Sequence, residues 1–267
     1  MFYKMKVYVF GSAGMLGSYI VQKMKGYITH AITRKEFDVL NDDIDEFLKY
    51  IEPDDVVVNC TGVIPQKSPT IREFIQVNTL FPLRLEELSK HRGFKFIHIT
   101  TDCVFDGSKG EYAEGDSHTA QHIYGITKSL GEPKSACVIR TSIIGEELHG
   151  KKNLLEWVRS KRGQTIDGYT NHIWNGVTCL TLAGVVERII QKNLYWSGVR
   201  HVTSPDRVSK YDLCRLIAQY YELDIQVKEK QHTSTMNMTL VDSGLFHIDT
   251  IETQIQVLSK DRLPDRA

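Results

Sequence analysis

Two hydrophobic patterns alternate along the chain. Short apolar runs rich in β-branched residues fall at 6–10, 30–33, 55–59, 95–99 and 136–142 and read as strands. Between them lie segments with helical spacing, such as Ile20, Val21 and Met24 behind the first run, and the longer stretch 71–91. Several runs are apolar on both faces, as expected of strands covered on both sides. Strand and helix in strict alternation predict a parallel, doubly wound α/β sheet. Beyond residue 145 the alternation loosens. Residues 154–158, 177–190, 210–221 and 248–258 read as helices, 199–202 and 225–227 as strands, and 260–267 as a fraying end. Residues 163–176 read as a polar, turn-rich loop with aromatic interruptions, the kind of segment that carries substrate.

Composition narrows the function. A chain of 267 residues, 41% hydrophobic, can bury one large core with a smaller appendage. Thirty-three basic residues balance thirty-three acidic ones, so no net field draws nucleic acid or an anionic membrane. The N-terminus shows no long apolar segment and no cleavage pattern, so a soluble, cytoplasmic protein is expected. The five cysteines (60, 103, 137, 179 and 214) are widely spaced without a Cys-x-x-Cys, so neither a disulfide framework nor a metal site is expected.

Candidate chemistry begins where the first strand stops, at Gly11-Ser12-Ala13-Gly14-Met15-Leu16-Gly17. Strand, glycine turn and helix let the backbone approach a pyrophosphate while the helix N-terminus directs free N–H groups at it. Gly11, Ala13, Gly14, Met15, Leu16 and Gly17 are therefore candidate cofactor contacts, although such turns also serve packing alone. Arg34-Lys35 stands where an NAD site would place an acid, which suits the 2′-phosphate of NADP, and Asp38 can reach the adenine edge. A solvated basic loop is the plainer reading of the same residues. Cys60, Thr61, Gly62 and Thr100 end the next strands on the side where ligands bind in such folds. Tyr124 and Lys128 are four apart and share one face of a helix. The ammonium should favour the phenolate and lower the phenol pKa, as a proton donor for carbonyl reduction requires, with Thr101 as a second hydroxyl.

Residues 11–17, 59–62, 100–107, 124–128 and 140–142 together resemble the extended short-chain reductases typified by dTDP-4-dehydrorhamnose reductase. The resemblance implies a Rossmann-type NADP(H) domain over residues 1–145, joined by returning segments at about 177–203. It places a small C-terminal α/β substrate domain at about 146–176 and 204–267. It further implies Thr101, Tyr124 and Lys128 as the catalytic set, and admits a homodimer. Asp102, Val104, Asn171, Trp174 and Lys152 are the expected substrate contacts. Residues 168–178 and 208–213 resemble the branch acting on nucleotide-linked 4-keto-6-deoxy sugars, often N-acetylated and UDP-linked, with dTDP as the other carrier.

Cys103, two residues past Thr101, matches the spacing of the catalytic cysteine in GDP-fucose synthase, an epimerase and reductase in one chain. With His172 as partner it would invert C3 before the 4-keto group is reduced. A structural cysteine and a backbone-bound histidine are the alternative. Met238 stands where the family usually has an arginine for the substrate diphosphate, leaving Lys151, Lys152 or the backbone to replace it. The expected function is NADPH-dependent 4-keto reduction with prior C3 epimerisation; reduction alone, or nucleotide binding without turnover, stands beside it.

Overall fold

The computed structural model describes residues 5–148 and 153–261. Its centre is a six-stranded sheet built from β1 (Lys6–Phe10), β2 (Ile28–Ile32), β3 (Val56–Asn59), β4 (Lys95–Thr101), β5 (Cys137–Thr141) and β10 (Gly198–His201). The order is β10-β5-β4-β3-β1-β2, and every pairing is parallel. Alternate side chains leave these strands in opposite directions, so one sheet feeds two cores. Val7, Val9, Val56, Val58, Ile97 and Ile139 pack with α1 (Met15–Lys23) and α7 (Cys179–Lys192). Phe10, Val57, Phe96 and Val138 pack on the other face against α2 (Ile44–Phe47) and α4 (Phe81–Arg92). The fold is therefore a doubly wound, Rossmann-type α/β sheet.

The strand after the glycine turn spans residues 28–32, not 30–33. Thr33 leaves the ladder because its amide donates to the Glu36 carboxylate at 2.9 Å. Stretch 71–91 is also less regular than its spacing suggests: α3 (Ile71–Ile75) and α4 are separated by a π-helical turn over Gln76–Leu80. The turn swings Asn78 inward, where its amide both accepts from the Val63 N–H (2.9 Å) and donates to the Val63 carbonyl (3.0 Å). Thr79 donates to the carbonyl of Thr127 at 2.7 Å, tying the turn to α5 (Ile123–Leu130). Gly131 permits that approach, since a Cβ there would lie 1.9 Å from the Asn78 carbonyl oxygen.

The later residues form a smaller α/β unit of short sheets. β6 (Ile143–Ile144) pairs with β9 (Val177–Thr178), so the helix expected from 177 starts instead at Cys179, capped by Thr178. Residues 163–176 are two strands rather than a loop. β7 (Thr165–Tyr169) pairs with β12 (Gln226–Lys230), and β8 (His172–Trp174) lies between β11 (Val208–Ser209) and β13 (Met236–Asn237). Their partners β12 and β13 arrive some sixty residues later and β11 about thirty-five, which the local pattern could not reveal. The helices α8 (Lys210–Tyr220) and α9 (Ile251–Lys260) pack on these strands, and α6 (Leu154–Arg159) packs on α8. α9 begins three residues later than its spacing suggests because Thr250 caps it. Of the expected fraying end, residues 262–267 lie outside the described residues. Loop 105–119 is stitched to the C-terminal segment by Asn237 N–H to Gly107 O (2.7 Å) and Tyr112 N–H to Thr239 O (3.0 Å). No helix among the described residues is long and apolar enough to cross a membrane.

Candidate active site

Two cavities open near the carboxyl ends of the central strands. The first, about 390 Å³, lies over the glycine turn and is lined by Gly11, Ala13, Gly14, Met15, Arg34 and Asp38, with Cys60, Thr61 and Gly62 along its floor. Gly11 has φ +75°, and a Cβ on Gly17 would sit 2.2 Å from the Gly11 carbonyl oxygen, so side chains are excluded where the turn meets α1. The first amides of α1, on Met15, Leu16 and Gly17, have no acceptor within the helix. Leu16 and Gly17 do not line the cavity: the Leu16 side chain is buried in the core and Gly17 sits against the Gly11 carbonyl. Ser12 was not singled out from the sequence; its buried hydroxyl has no hydrogen-bond partner among the described residues. Arg34 is exposed and ion-paired with Asp38 at 3.4 Å, and Lys67 adds an unforeseen cation to the same lining. Glycines that a Cβ would fill, a helix start with free amides and two cations together form a cradle for a phosphate-bearing cofactor.

Beyond this cradle, β4 delivers Thr101 to the end of the sheet. Its hydroxyl donates to Asp102 Oδ1 (3.0 Å) and accepts from the Cys103 amide (3.2 Å), and it acts on the Tyr124 phenol to lower its pKa. Tyr124 and Lys128 project from α5, which is brought close to the chain at Cys103 by Gly125: a Cβ there would lie 2.2 Å from the Cys103 carbonyl oxygen. His122 caps that helix, accepting the Gly125 N–H on Nδ1 at 3.0 Å, and stacks on the Tyr124 ring at 6.2 Å. Thr100 is buried one residue back, with a hydroxyl that has no partner among the described residues.

The electrostatics differ from expectation. Lys128 is buried, and loss of solvent lowers its ammonium to about 8 against the opposing fields of Glu132 and Cys60. Its Nζ donates to the Ile99 carbonyl at 3.1 Å. The Tyr124 phenol is raised, not lowered: burial dominates, the Cys103 side chain adds to it, and the Thr101 hydroxyl opposes. Desolvation sets the direction here. Glu132, just past α5, holds the buried Arg140 guanidinium in a two-pronged pair at 3.0 and 2.7 Å, which fixes the end of the helix to β5.

The second cavity, about 570 Å³, is lined by Asp102, Cys103, Ser142, His172, Trp174 and Lys210 among others. Cys103 and His172, widely separated in sequence, thus line one cavity. The Cys103 thiol is pushed well up by burial and then by the Asp102 charge, so it is held protonated. Asp102 is itself raised by burial, with Ser142, Thr101 and Cys103 hydrogen bonds opposing. His172 is lowered by burial, and its Nε2 lies 3.2 Å from the Ser234 carbonyl, backed by the rings of Tyr169 and His232. Two expected contacts stand elsewhere. Val104 is fully buried against Phe105, Tyr112 and Leu240, and the Asn171 amide is consumed by the backbone of His232 and Ser234. Lys151 and Lys152 lie outside the described residues. Ser142 and Lys210 are wall residues the sequence reading did not assign, although both sit in stretches it noticed. No group of three or more His, Cys, Asp or Glu among the described residues could hold a metal ion.

The family model described as the RmlD substrate binding domain matches residues 5–239. The chain belongs to this family. One RmlD-like relative, the dTDP-4-keto-6-deoxy-D-glucose reductase of Streptomyces niveus, is 27% identical over 221 residues, covering 78% of this chain and 76% of that protein. The spore coat polysaccharide biosynthesis protein SpsK of Bacillus subtilis (strain 168) is 26% identical over 236 residues, covering 83% and 81%. Among solved structures, the dTDP-4-dehydrorhamnose reductase of Bacillus anthracis str. Ames in complex with NADP aligns with a TM-score of 0.81 at 19% identity. That alignment covers 96% of this chain and 98% of the other, so the RmlD-family fold extends through both cavities.

Proposed function

We propose that the protein reduces the 4-keto group of a nucleotide-linked 4-keto-6-deoxyhexose with NADPH. The observation that carries this reading is the Thr101–Tyr124 hydroxyl pair, backed by buried Lys128 and flanked by the two cavities. Lys128 neighbours Cys60 of the first cavity, and Tyr124 neighbours Cys103 of the second. The names of the relatives, a 4-keto-6-deoxyglucose reductase and a dehydrorhamnose reductase bound to NADP, support the same chemistry.

NADPH, held at Gly11–Gly17 with Arg34 toward its 2′-phosphate, would supply the hydride. Tyr124, protonated at neutral pH as a phenol is and held so by burial, gives its proton to the ketone oxygen as negative charge develops there. Thr101, whose hydroxyl otherwise donates to Asp102, turns to give a second hydrogen bond to that oxygen and orients it. Lys128, charged below about pH 8, offsets the phenolate left behind. Residues 1–145 with 177–203 serve the cofactor in this reading, and 146–176 with 204–267 serve the sugar.

Epimerisation at C3 has weaker support. Cys103 and His172 face one cavity, but abstraction of a proton needs a thiolate, and burial with Asp102 opposes it. Reduction without epimerisation is therefore the preferred reading. A homodimer is supported by the exposed apolar residues Ile71, Ile75, Leu80, Ile123, Ile126 and Leu130 on the packed segments α3, Gln76–Leu80 and α5.

The test is incubation with NADPH and the dTDP- and UDP-linked 4-keto-6-deoxyhexoses in deuterated water, followed by NMR of the product. A 4-hydroxy sugar without deuterium at C3 supports reduction alone. Deuterium at C3 that disappears in Cys103→Ser restores the epimerase. Nucleotide binding without turnover of either substrate favours a regulatory protein.

A further inference from the structure

The second cavity has an uneven set of charges. Its described lining carries two carboxylates, Asp102 and Asp106, and a single lysine or arginine, Lys210. Both acids are committed locally. Asp102 is buried and bonded to Thr101, Cys103 and Ser142. Asp106 accepts from the Ser108 amide (3.0 Å), the Ser108 hydroxyl (2.7 Å) and the Tyr112 phenol (3.0 Å). Lys210, the first residue of α8, is exposed, and no carboxylate among the described residues pairs with it. Asp212, the nearest acid along the helix, is turned to the Ser209 hydroxyl at 2.5 Å and faces Arg215 at 3.9 Å.

An unpaired ammonium on a wall that also presents Ile143, Leu154, Trp174 and Met238 is the one lysine or arginine charge among the described lining residues and is free to meet an anion. Its charge acts on both Cys103 and His172, which line the same cavity. A hexose held by a ketone at Thr101 and Tyr124 carries its phosphate on the far side of the ring, where a cation displaced from the reaction centre is required.

We infer that Lys210 is the anion-binding residue of this cavity and holds a phosphate of the nucleoside diphosphate carried by the sugar. The inference rests on reading the cavity as a nucleotide-sugar site. It assigns the charge that Met238 lacks to the start of α8, and makes Lys210 a determinant of affinity and not of the chemical step.

Binding of UDP and of dTDP, measured by calorimetry, tests this without turnover. Lys210→Met should weaken both diphosphates about 10- to 100-fold, the loss expected when a charge-assisted hydrogen bond is removed. Lys210→Arg should retain most of the affinity, and affinity for the wild type should fall with added salt. Uridine and thymidine should bind wild type and Lys210→Met alike. Unchanged diphosphate binding in Lys210→Met, failure of the wild type to bind either diphosphate, or loss confined to Lys152→Ala would each overturn the inference. A wild type that binds UDP or dTDP through Lys210 but reduces no 4-keto sugar would sink the proposed reaction and leave this site standing. Reduction with an unchanged KM in Lys210→Met would do the reverse.

Discussion

The two cavities beside Tyr124 and Lys128 are made in different ways. The cofactor cradle is largely backbone: one continuous turn, Gly11–Gly17, supplies its tightest contacts, and their geometry follows from missing side chains. The second cavity is assembled from side chains as distant in sequence as Asp102, His172, Lys210 and Met238. A backbone-built site should respond to added volume, whereas a side-chain-built site should respond to lost chemistry. Tyr124 and Lys128 belong to neither and should affect the reaction wherever the substrate binds.

The largest expected effect falls on that shared element. Tyr124→Phe should lower kcat by about 10²- to 10⁴-fold with little change in either substrate's binding, as measured by steady-state kinetics. Gly17→Ala comes next and separates the cavities. Its Cβ meets the Gly11 carbonyl oxygen at 2.2 Å, so overpacking should cost about 1–3 kcal/mol in denaturant unfolding and weaken NADPH binding. UDP binding to the same variant should stay near wild type; equal loss of both ligands would erase the contrast.

Lys128 gives an effect of similar size but opposite sign on stability. A lysine lowered from 10.5 to about 8 is charged in both states below pH 8, where the folded protein carries the full desolvation penalty. At about 1.4 kcal/mol per unit, the shift corresponds to a penalty of about 3 kcal/mol, relieved as pH rises from 8 toward 10.5. Lys128→Met should therefore raise the melting temperature at pH 7, lose that advantage toward pH 10, and abolish most turnover. In the wild type, kcat/KM should fall on the alkaline side with a midpoint near 8. The smallest effect concerns the cap: His122→Ala should cost about 1 kcal/mol, and His122→Asn should recover most of it.

The same contrast explains what could be read in advance. Val56–Asn59 and Cys137–Thr141 are contiguous apolar strands with both faces covered, so their pattern stated their place in the sheet. Thr101, Tyr124 and Lys128 were legible because a helical turn fixes the distance between the last two. The second cavity was legible only in part. β7 and β8 find their partners between residues 208 and 237, and short polar strands lack a local signature. Val104 looked like a wall residue from its neighbours, yet the stacked Phe105 and Tyr112 rings draw that segment into a small core. The protonation of Tyr124 and Cys103 depends on water excluded by distant segments, a quantity that spacing does not encode.

The central claim is that a hydride crosses from the cradle to a ketone held at Thr101 and Tyr124. NADPH carrying deuterium at the transferring nicotinamide position, supplied with the dTDP- or UDP-linked 4-keto-6-deoxyhexose, tests it directly by NMR. The account predicts one deuterium at C4 of the product sugar, in a single configuration, and none from Tyr124→Phe within the same time. Deuterium retained on the nicotinamide while the sugar is altered, or incorporation at any carbon other than C4, would contradict it.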